Sequence, residues 1–186
     1  VNVNAPMIRS GADDKAARIR LFLTDVDGVL TDGGIILSSD GVETKRFHVR
    51  DGHGMKMLDR AGIRVGILTG RTSDVVEIRA RELGIHIVRQ GAKDKLAVWT
   101  EILKEQGVSP EEAAYVGDDI VDLPVLRAAG FSAAPCDAEQ YVLDTVDFIS
   151  SRPGGMGAVR EIIEFILKAN GSWRPVSKKY FEEKVL

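Results

Sequence analysis

Asp25-Val26-Asp27 sets two carboxylates two positions apart, directly after the apolar run at 19–24. Like charges held together at a strand end cost free energy unless a cation or an ammonium group offsets them. Further along, Thr69-Gly70-Arg71 follows the apolar run at 64–68, and Asp118-Asp119 follows the run at 114–116. Lys95 opens the helical pattern between these last two runs. Oxygen donors without His or Cys among them favour magnesium over zinc, and Mg²⁺ takes one or two protein carboxylates and leaves positions for phosphate oxygens. The set therefore describes phosphoryl chemistry: one carboxylate as nucleophile, a second as acid and base, and hydroxyl and ammonium groups for the phosphoryl oxygens.

Taken singly, each residue has an ordinary alternative. A D-x-D pair is common in proteins of every kind. A calcium loop fails on detail, because Val29 and Leu30 stand where a further acid and a glycine belong, and Ile36 replaces the closing Glu. Thr69 could cap a helix, Lys95 could be a solvated charge, and Asp118-Asp119 could sit at a helix N-terminus, where carboxylates are favoured. Their joint occurrence after successive strands is what singles out a phosphate site. Neither a Walker A loop nor a G-x-G-x-x-G is present, so a nucleotide site lacks its signature.

These residues need elements to bring them together. Strands are expected at 19–24, 64–68, 85–88, 114–116, 131–134 and 147–150, and helices at 52–61, 73–83, 94–105, 120–129, 138–144 and 157–168. Ser109-Pro110-Glu111-Glu112 is a capping box with proline at the first helical position, which starts a further short helix. Leu96, Trp99, Ile102 and Leu103 are expected on the buried face of 94–105, and Val159, Ile162, Ile163, Ile166 and Leu167 on that of 157–168. The alternation predicts an α/β fold, a doubly wound parallel sheet covered by helices on both faces. Ligands of such sheets bind outside the carboxyl ends of the strands, at the topological switch point. Gly33-Gly34 precedes two extended runs around Asp40-Gly41, which predict a β-hairpin at 34–49. The organisation read from the chain is a flexible lead-in at 1–18, a single domain at 19–170 and a C-terminal tail at 171–186.

Composition sets broader limits. A chain of 186 residues, 44% hydrophobic and 28% charged, can bury a sizeable core as one domain. Its net charge of -3 gives no footprint for a nucleic-acid or anionic-membrane partner. Cys136 is the single cysteine, which precludes an intramolecular disulfide and points to a reducing cytoplasm. No apolar run is long enough to span a bilayer.

Asp25-Val-Asp27-Gly28-Val29, Leu68-Thr69-Gly70-Arg71, Lys95 and Gly117-Asp118-Asp119-x-x-Asp122 resemble, in this order, the four motifs of the haloacid dehalogenase superfamily. FHVRDGHGMKML (47–58), Arg71 and Arg79, QGAKDK (90–95), GDDIVDLPVL (117–126) and PGGMGAVRE (153–161) are similar, more narrowly, to the 3-deoxy-D-manno-octulosonate 8-phosphate phosphatase family. The resemblance implies that Asp25 attacks phosphorus and that Asp27 protonates the leaving oxygen and then activates water. It implies that Thr69 and Lys95 hold phosphoryl oxygens, and that Mg²⁺ lies on Asp25, the backbone carbonyl of Asp27 and Asp118. Asp119 and Asp122 are expected to orient Lys95 or metal waters, and for Asp122 a plain surface charge is an equal alternative. The loop His48-Val49-Arg50-Asp51-Gly52, with Lys56, Gly70, Arg71 and Arg79, is implied in binding a substrate that carries both carboxylate and phosphate. The resemblance also implies that the hairpin takes the place of a cap domain, because relatives of this type pack such hairpins together in a homotetramer. Two other functions stay open at this point: a phosphatase for a nine-carbon sialic-acid-type 9-phosphate, and a non-catalytic phosphatase-like assembly domain.

Overall fold

Leu21-Phe22-Leu23-Thr24 offers no polar face to water, which suits it only to the middle of a covered sheet. The structure is a computed structural model and describes residues 5–181. Its strands are β1 (Met7–Ile8), β2 (Leu21–Thr24), β3 (Ile36–Leu37), β4 (Glu43–Thr44), β5 (Arg64–Leu68), β6 (Ile87–Arg89), β7 (Ala113–Val116), β8 (Phe131–Ala134) and β9 (Phe148–Ile149). The helices are α1 (Ala12–Ala16), α2 (Val49–Arg60), α3 (Asp74–Leu83), α4 (Lys95–Gln106), α5 (Leu123–Ala128), α6 (Gln140–Leu143), α7 (Ala158–Ala169) and α8 (Trp173–Ser177). Among the described residues no helix is long and apolar enough to cross a membrane.

The seven-stranded sheet runs β1-β9-β8-β7-β2-β5-β6, parallel throughout except for β1. The chain lays down β2, steps outward through β5 and β6, then returns to place β7, β8 and β9 on the other side. That reversal puts the switch point at the carboxyl end of β2, between β5 and β7. Strand alternation divides the core into two layers. Phe22, Ile67, Val116 and Phe131 face α1, α2 and α7, and Leu21, Leu23, Leu68 and Tyr115 face α4 and α5. The apolar stripe of α7 is fully buried from Val159 to Leu167.

Three expectations are corrected. The buried face of α4 is not centred on Leu96, which is exposed; it runs through Lys95, Trp99, Ile102 and Leu103, at i, i+4, i+7 and i+8. Lys95 is thus carried inward on an apolar stripe. The segment expected as a flexible lead-in holds β1, paired antiparallel through Ile8 and Phe148, and α1, whose Ala12 and Ala16 are small enough to pack fully against α7. Part of the tail also folds back on its own chain: α8 follows α7, Arg60 Nη1 donates to the Tyr180 hydroxyl at 2.9 Å, and the His53 and Tyr180 rings meet edge to face at 5.7 Å. Residues 1–4 of the lead-in and 182–186 of the tail lie outside the described residues.

The hairpin stands as a separate two-stranded sheet, β3 against β4, with Ile36 opposite Thr44 and Leu37 opposite Glu43. Ile35, Ile36, Leu37 and Val42 on it are all exposed.

Candidate active site

The backbone ladder continues one step past β2, where the Asp25 amide donates to the Val116 carbonyl at 2.9 Å. This fixes Asp25 beside the loop that carries Asp118. The next turn depends on Gly28, whose φ is +82°; a Cβ there would stand 2.0 Å from Asp118 Oδ2. Any side chain at 28 would occupy the space of the Asp118 carboxylate, so glycine is required for packing as well as for conformation.

Lys95 Nζ lies between two carboxylates, donating to Asp25 Oδ2 at 2.6 Å and to Asp122 Oδ1 at 2.7 Å. All three side chains are buried. Burial opposes the ammonium, but Asp25 and Asp122 together outweigh it and hold Lys95 above the ordinary lysine range. Asp122 is saturated: Oδ1 also accepts from the Tyr115 hydroxyl at 2.6 Å, and Oδ2 accepts the backbone amides of Asp118 and Asp119 at 3.1 and 3.3 Å. It is therefore no surface charge but the group that aims Lys95. Asp119 turns outward instead, accepting from the Tyr141 hydroxyl at 2.7 Å, and this bond first holds its carboxyl below the usual range.

Asp25 and Asp118 are less well compensated. Asp25 Oδ1 accepts from the Val26 amide at 2.7 Å, yet burial raises its carboxyl more than Lys95 lowers it. Asp118 is pushed up to about 8, by burial first and then by Asp122 and Asp25. One oxygen from each of Asp25, Asp118 and Asp122 falls within 4.8 Å of the others. Three carboxylates around one ammonium leave a deficit of positive charge, and the oxygen-only donor set suits a hard divalent cation. Each oxygen of Asp122 accepts two hydrogen bonds, whereas each oxygen of Asp25 accepts one, so Asp25, with Asp118, keeps lone pairs for such an ion.

The cleft above this network has a volume of about 480 Å³ and is lined by Asp25, Asp27, Thr69, Gly70, Arg71, Lys95, Asp118 and Asp119 among others. The expected catalytic residues reach it from three places: Asp25 and Asp27 from the end of β2, Thr69 from the end of β5 and Lys95 from the start of α4. Of the expected substrate-binding set, Asp27, Gly70, Arg71 and Lys95 line the cleft. His48, Val49, Arg50, Asp51, Gly52, Lys56 and Arg79 belong to α2, its N-terminus and α3, outside the lining. His48 Nδ1 accepts from the Arg50 amide at 3.3 Å, which caps α2. Asp51 is buried and accepts from the Arg160 amide at 2.7 Å, so it ties α2 to α7. Lys56 donates to the Glu82 carbonyl at 3.2 Å and Arg79 to the Glu82 carboxylate at 2.8 Å. A Cβ at Gly52 would stand 2.4 Å from Arg79 Nη2, so the glycine makes room for that guanidinium.

Two residues at the mouth escape a motif reading. Lys45 Nζ donates to Asp27 Oδ1 although its side chain is only 1% exposed, and Glu43 Oε1 accepts from Arg71 Nη2 at 2.8 Å. The sequence signal for them is the strand alternation of the hairpin, which puts 43 and 45 on one face; which face meets the site depends on how the hairpin leaves Gly33-Gly34. Tyr115 was hidden for another reason, since a tyrosine in an apolar strand looks like core until its hydroxyl finds Asp122.

A site of this composition at a switch point agrees with the comparisons to known proteins. The haloacid dehalogenase-like hydrolase family model matches residues 49–130. The 3-deoxy-D-manno-octulosonate 8-phosphate phosphatase of Escherichia coli K12 is 43% identical over 157 residues, spanning 84% of each chain. The crystal structure of the Moraxella catarrhalis phosphatase of the same name, in complex with a magnesium ion, a phosphate ion and a KDO molecule, aligns with a TM-score of 0.90 at 41% identity, covering 92% of this chain and 99% of that one. The cobalt-bound phosphatase from Haemophilus influenzae aligns with a TM-score of 0.83 at 45% identity, covering 86% and 93%. With motif order, sheet topology and 43% identity over 84% of the chain in agreement, the chain belongs to the haloacid dehalogenase superfamily and, within it, to the 3-deoxy-D-manno-octulosonate 8-phosphate phosphatase family.

Proposed function

We propose that this protein is a Mg²⁺-dependent phosphatase that hydrolyses 3-deoxy-D-manno-octulosonate 8-phosphate to the free sugar acid and phosphate, a cytoplasmic step toward lipopolysaccharide precursors. The observation that carries the chemistry is the convergence of Asp25, Lys95, Asp118 and Asp122 at the ends of three separate strands. The substrate assignment rests on the relatives of that name.

In this reading the Asp25 carboxylate attacks phosphorus, the bond from phosphorus to the sugar oxygen breaks, and Asp27 gives that oxygen its proton. Asp27 then takes a proton from water as the water attacks phosphorus, the bond to Asp25 breaks, and phosphate leaves. The Thr69 hydroxyl and Lys95 hold phosphoryl oxygens whose charge grows in the transition state. Asp25, Asp118 and the backbone carbonyl of Asp27 would hold Mg²⁺, which supplies positive charge to the phosphoryl group when bound. Asp122 keeps Lys95 aimed, and Asp119 acts further out, through Tyr141. Arg71 meets the anionic sugar-acid end, where guanidinium forks suit carboxylates. The first turn of α2 with His48, Lys56 and Arg79 lie outside the cleft of their own chain and would reach substrate through a neighbouring subunit.

The exposed Ile35, Ile36, Leu37 and Val42 support a homotetramer built through the hairpin, since an isolated two-stranded hairpin is marginal alone and consecutive exposed apolar residues mark an interface. The test of the activity is a phosphate-release panel in Mg²⁺ containing the eight-carbon and nine-carbon sugar-acid phosphates. The eight-carbon ester is expected to be preferred, and Asp25→Asn to lose on the order of 10⁴-fold or more in kcat. Preference for the nine-carbon ester would reassign the substrate, and full activity in Asp25→Asn would remove the nucleophile from the scheme.

A further inference from the structure

We infer that Glu43 is a positioning residue for Arg71: the hairpin supplies, from within the same chain, the carboxylate that sets this guanidinium for the second anion of the substrate. The inference rests on the proposed reading in which Arg71 meets the carboxylate of the sugar acid.

Strand alternation turns Glu43 and Lys45 to one side and Thr44 to the other, and the first two point at the cleft mouth. Glu43 uses both oxygens. Oε1 accepts from Arg71 Nη2 at 2.8 Å, and Oε2 accepts from the Ser73 hydroxyl. Ser73 lies two residues beyond Arg71, so the carboxylate clamps the guanidinium to the segment that carries it. Lys45 Nζ lies on Asp27 and 3.6 Å from Glu43 Oε1. The charges around the mouth therefore alternate: Asp27, Lys45, Glu43, Arg71.

Asp27 is what makes this arrangement matter. Arg71 Nε already stands 3.7 Å from Asp27 Oδ2. Were Glu43 neutral, Asp27 would be the one carboxylate of this group left to both cations, and Arg71 would be drawn inward onto the acid/base. With Glu43 in place Arg71 stays at the mouth, 42% exposed and open to a ligand. A competing view holds that Glu43 occupies Arg71 and weakens binding. The double anchorage of Glu43 and the proximity of Asp27 favour orientation, because removing Glu43 exchanges one carboxylate partner for another that the proposed reaction uses as its acid and base.

The experiment is steady-state kinetics in Mg²⁺ on 3-deoxy-D-manno-octulosonate 8-phosphate and on p-nitrophenyl phosphate, which carries phosphate but no carboxylate. Fixing one flexible side chain before binding corresponds to about a three- to tenfold effect. Glu43→Gln is expected to raise KM for the sugar acid by that factor, and by at least about threefold more than for p-nitrophenyl phosphate. Ser73→Ala, which loosens Oε2 without removing the charge, is expected to act in the same direction and less strongly. A lower KM for the sugar acid in Glu43→Gln would overturn the inference in favour of competition. Equal losses on both substrates would reduce Glu43 to a brace of the hairpin and overturn it too. Arg71→Met separates the two layers of the argument. If it leaves KM for the sugar acid unchanged, the reading of Arg71 fails and takes the inference with it; if it raises KM while Glu43→Gln does not, the inference alone falls.

Discussion

The surroundings of Asp118 favour its protonated form when no metal is bound. Burial, Asp122 and Asp25 push its carboxyl up to about 8, and Lys95 pulls the other way without prevailing. The unfolded chain, with an ordinary aspartate, has released this proton well below neutrality. Between roughly pH 4 and about 8 the native state thus binds the extra proton, and the metal-free fold loses stability as pH rises through that window. A divalent cation needs the carboxylate ionised and displaces the proton. Thermal melts in chelator are therefore expected to fall from pH 6 to pH 8. Saturating Mg²⁺ is expected to raise the melting temperature, and more so at pH 8; equal shifts at both pH values would count against this account. At this scale the motif residues were legible because chemistry constrains their types and order. Asp122 was ambiguous, since its burial depends on Tyr115 of the preceding strand turning its hydroxyl back and on Lys95 arriving from the start of α4.

Among the elements, the hairpin is the one whose sequence conflicts with its surroundings. Turn chemistry around Asp40-Gly41 marked it plainly, and Gly41 has a φ of +83° as such a turn needs. Among the described residues nothing covers its Ile35, Ile36, Leu37 and Val42, which stay exposed. If copies meet through it, Leu37→Asp is expected to shift the protein from tetramer to smaller species, which light scattering after gel filtration reads directly. A monomeric mass for the unaltered protein, with full activity, would remove the assembly proposal. Helix α4 teaches a different lesson. The buried Trp99, Ile102 and Leu103 were legible as a stripe, but extending the stripe to Leu96 erred by one position. The residue on that face is Lys95, which an apolar count excludes by its type.

For the molecule as a whole, the chemistry sits at the carboxyl ends of the strands and the α7 layer of the core covers one face of the sheet. The fully buried Ile162 on α7 packs in the layer with Phe22 and Phe131, among residues that do not line the cleft. Ile162→Ala is expected to cost about 2–5 kcal/mol from lost burial and the cavity left behind. Urea denaturation measures that loss, while kcat at 25 °C is expected to stay within about twofold; a kcat that fell with stability would show that the layer also shapes the site.

What the sequence determined by itself was the alternation of elements, the strand ends that carry the acids, threonine and lysine, and hence the class of chemistry. These follow from local periodicity and from residue types that phosphoryl transfer requires. Only the tertiary structure decided which carboxylates share Lys95, which of them is saturated, and that Glu43 and Lys45 close over Asp27 and Arg71. It also decided that residues before the first central strand and after the last long helix pack back on the body. Those outcomes depend on contacts between segments far apart in the chain, formed where the sheet reverses its order, and no local pattern encodes the distance between them.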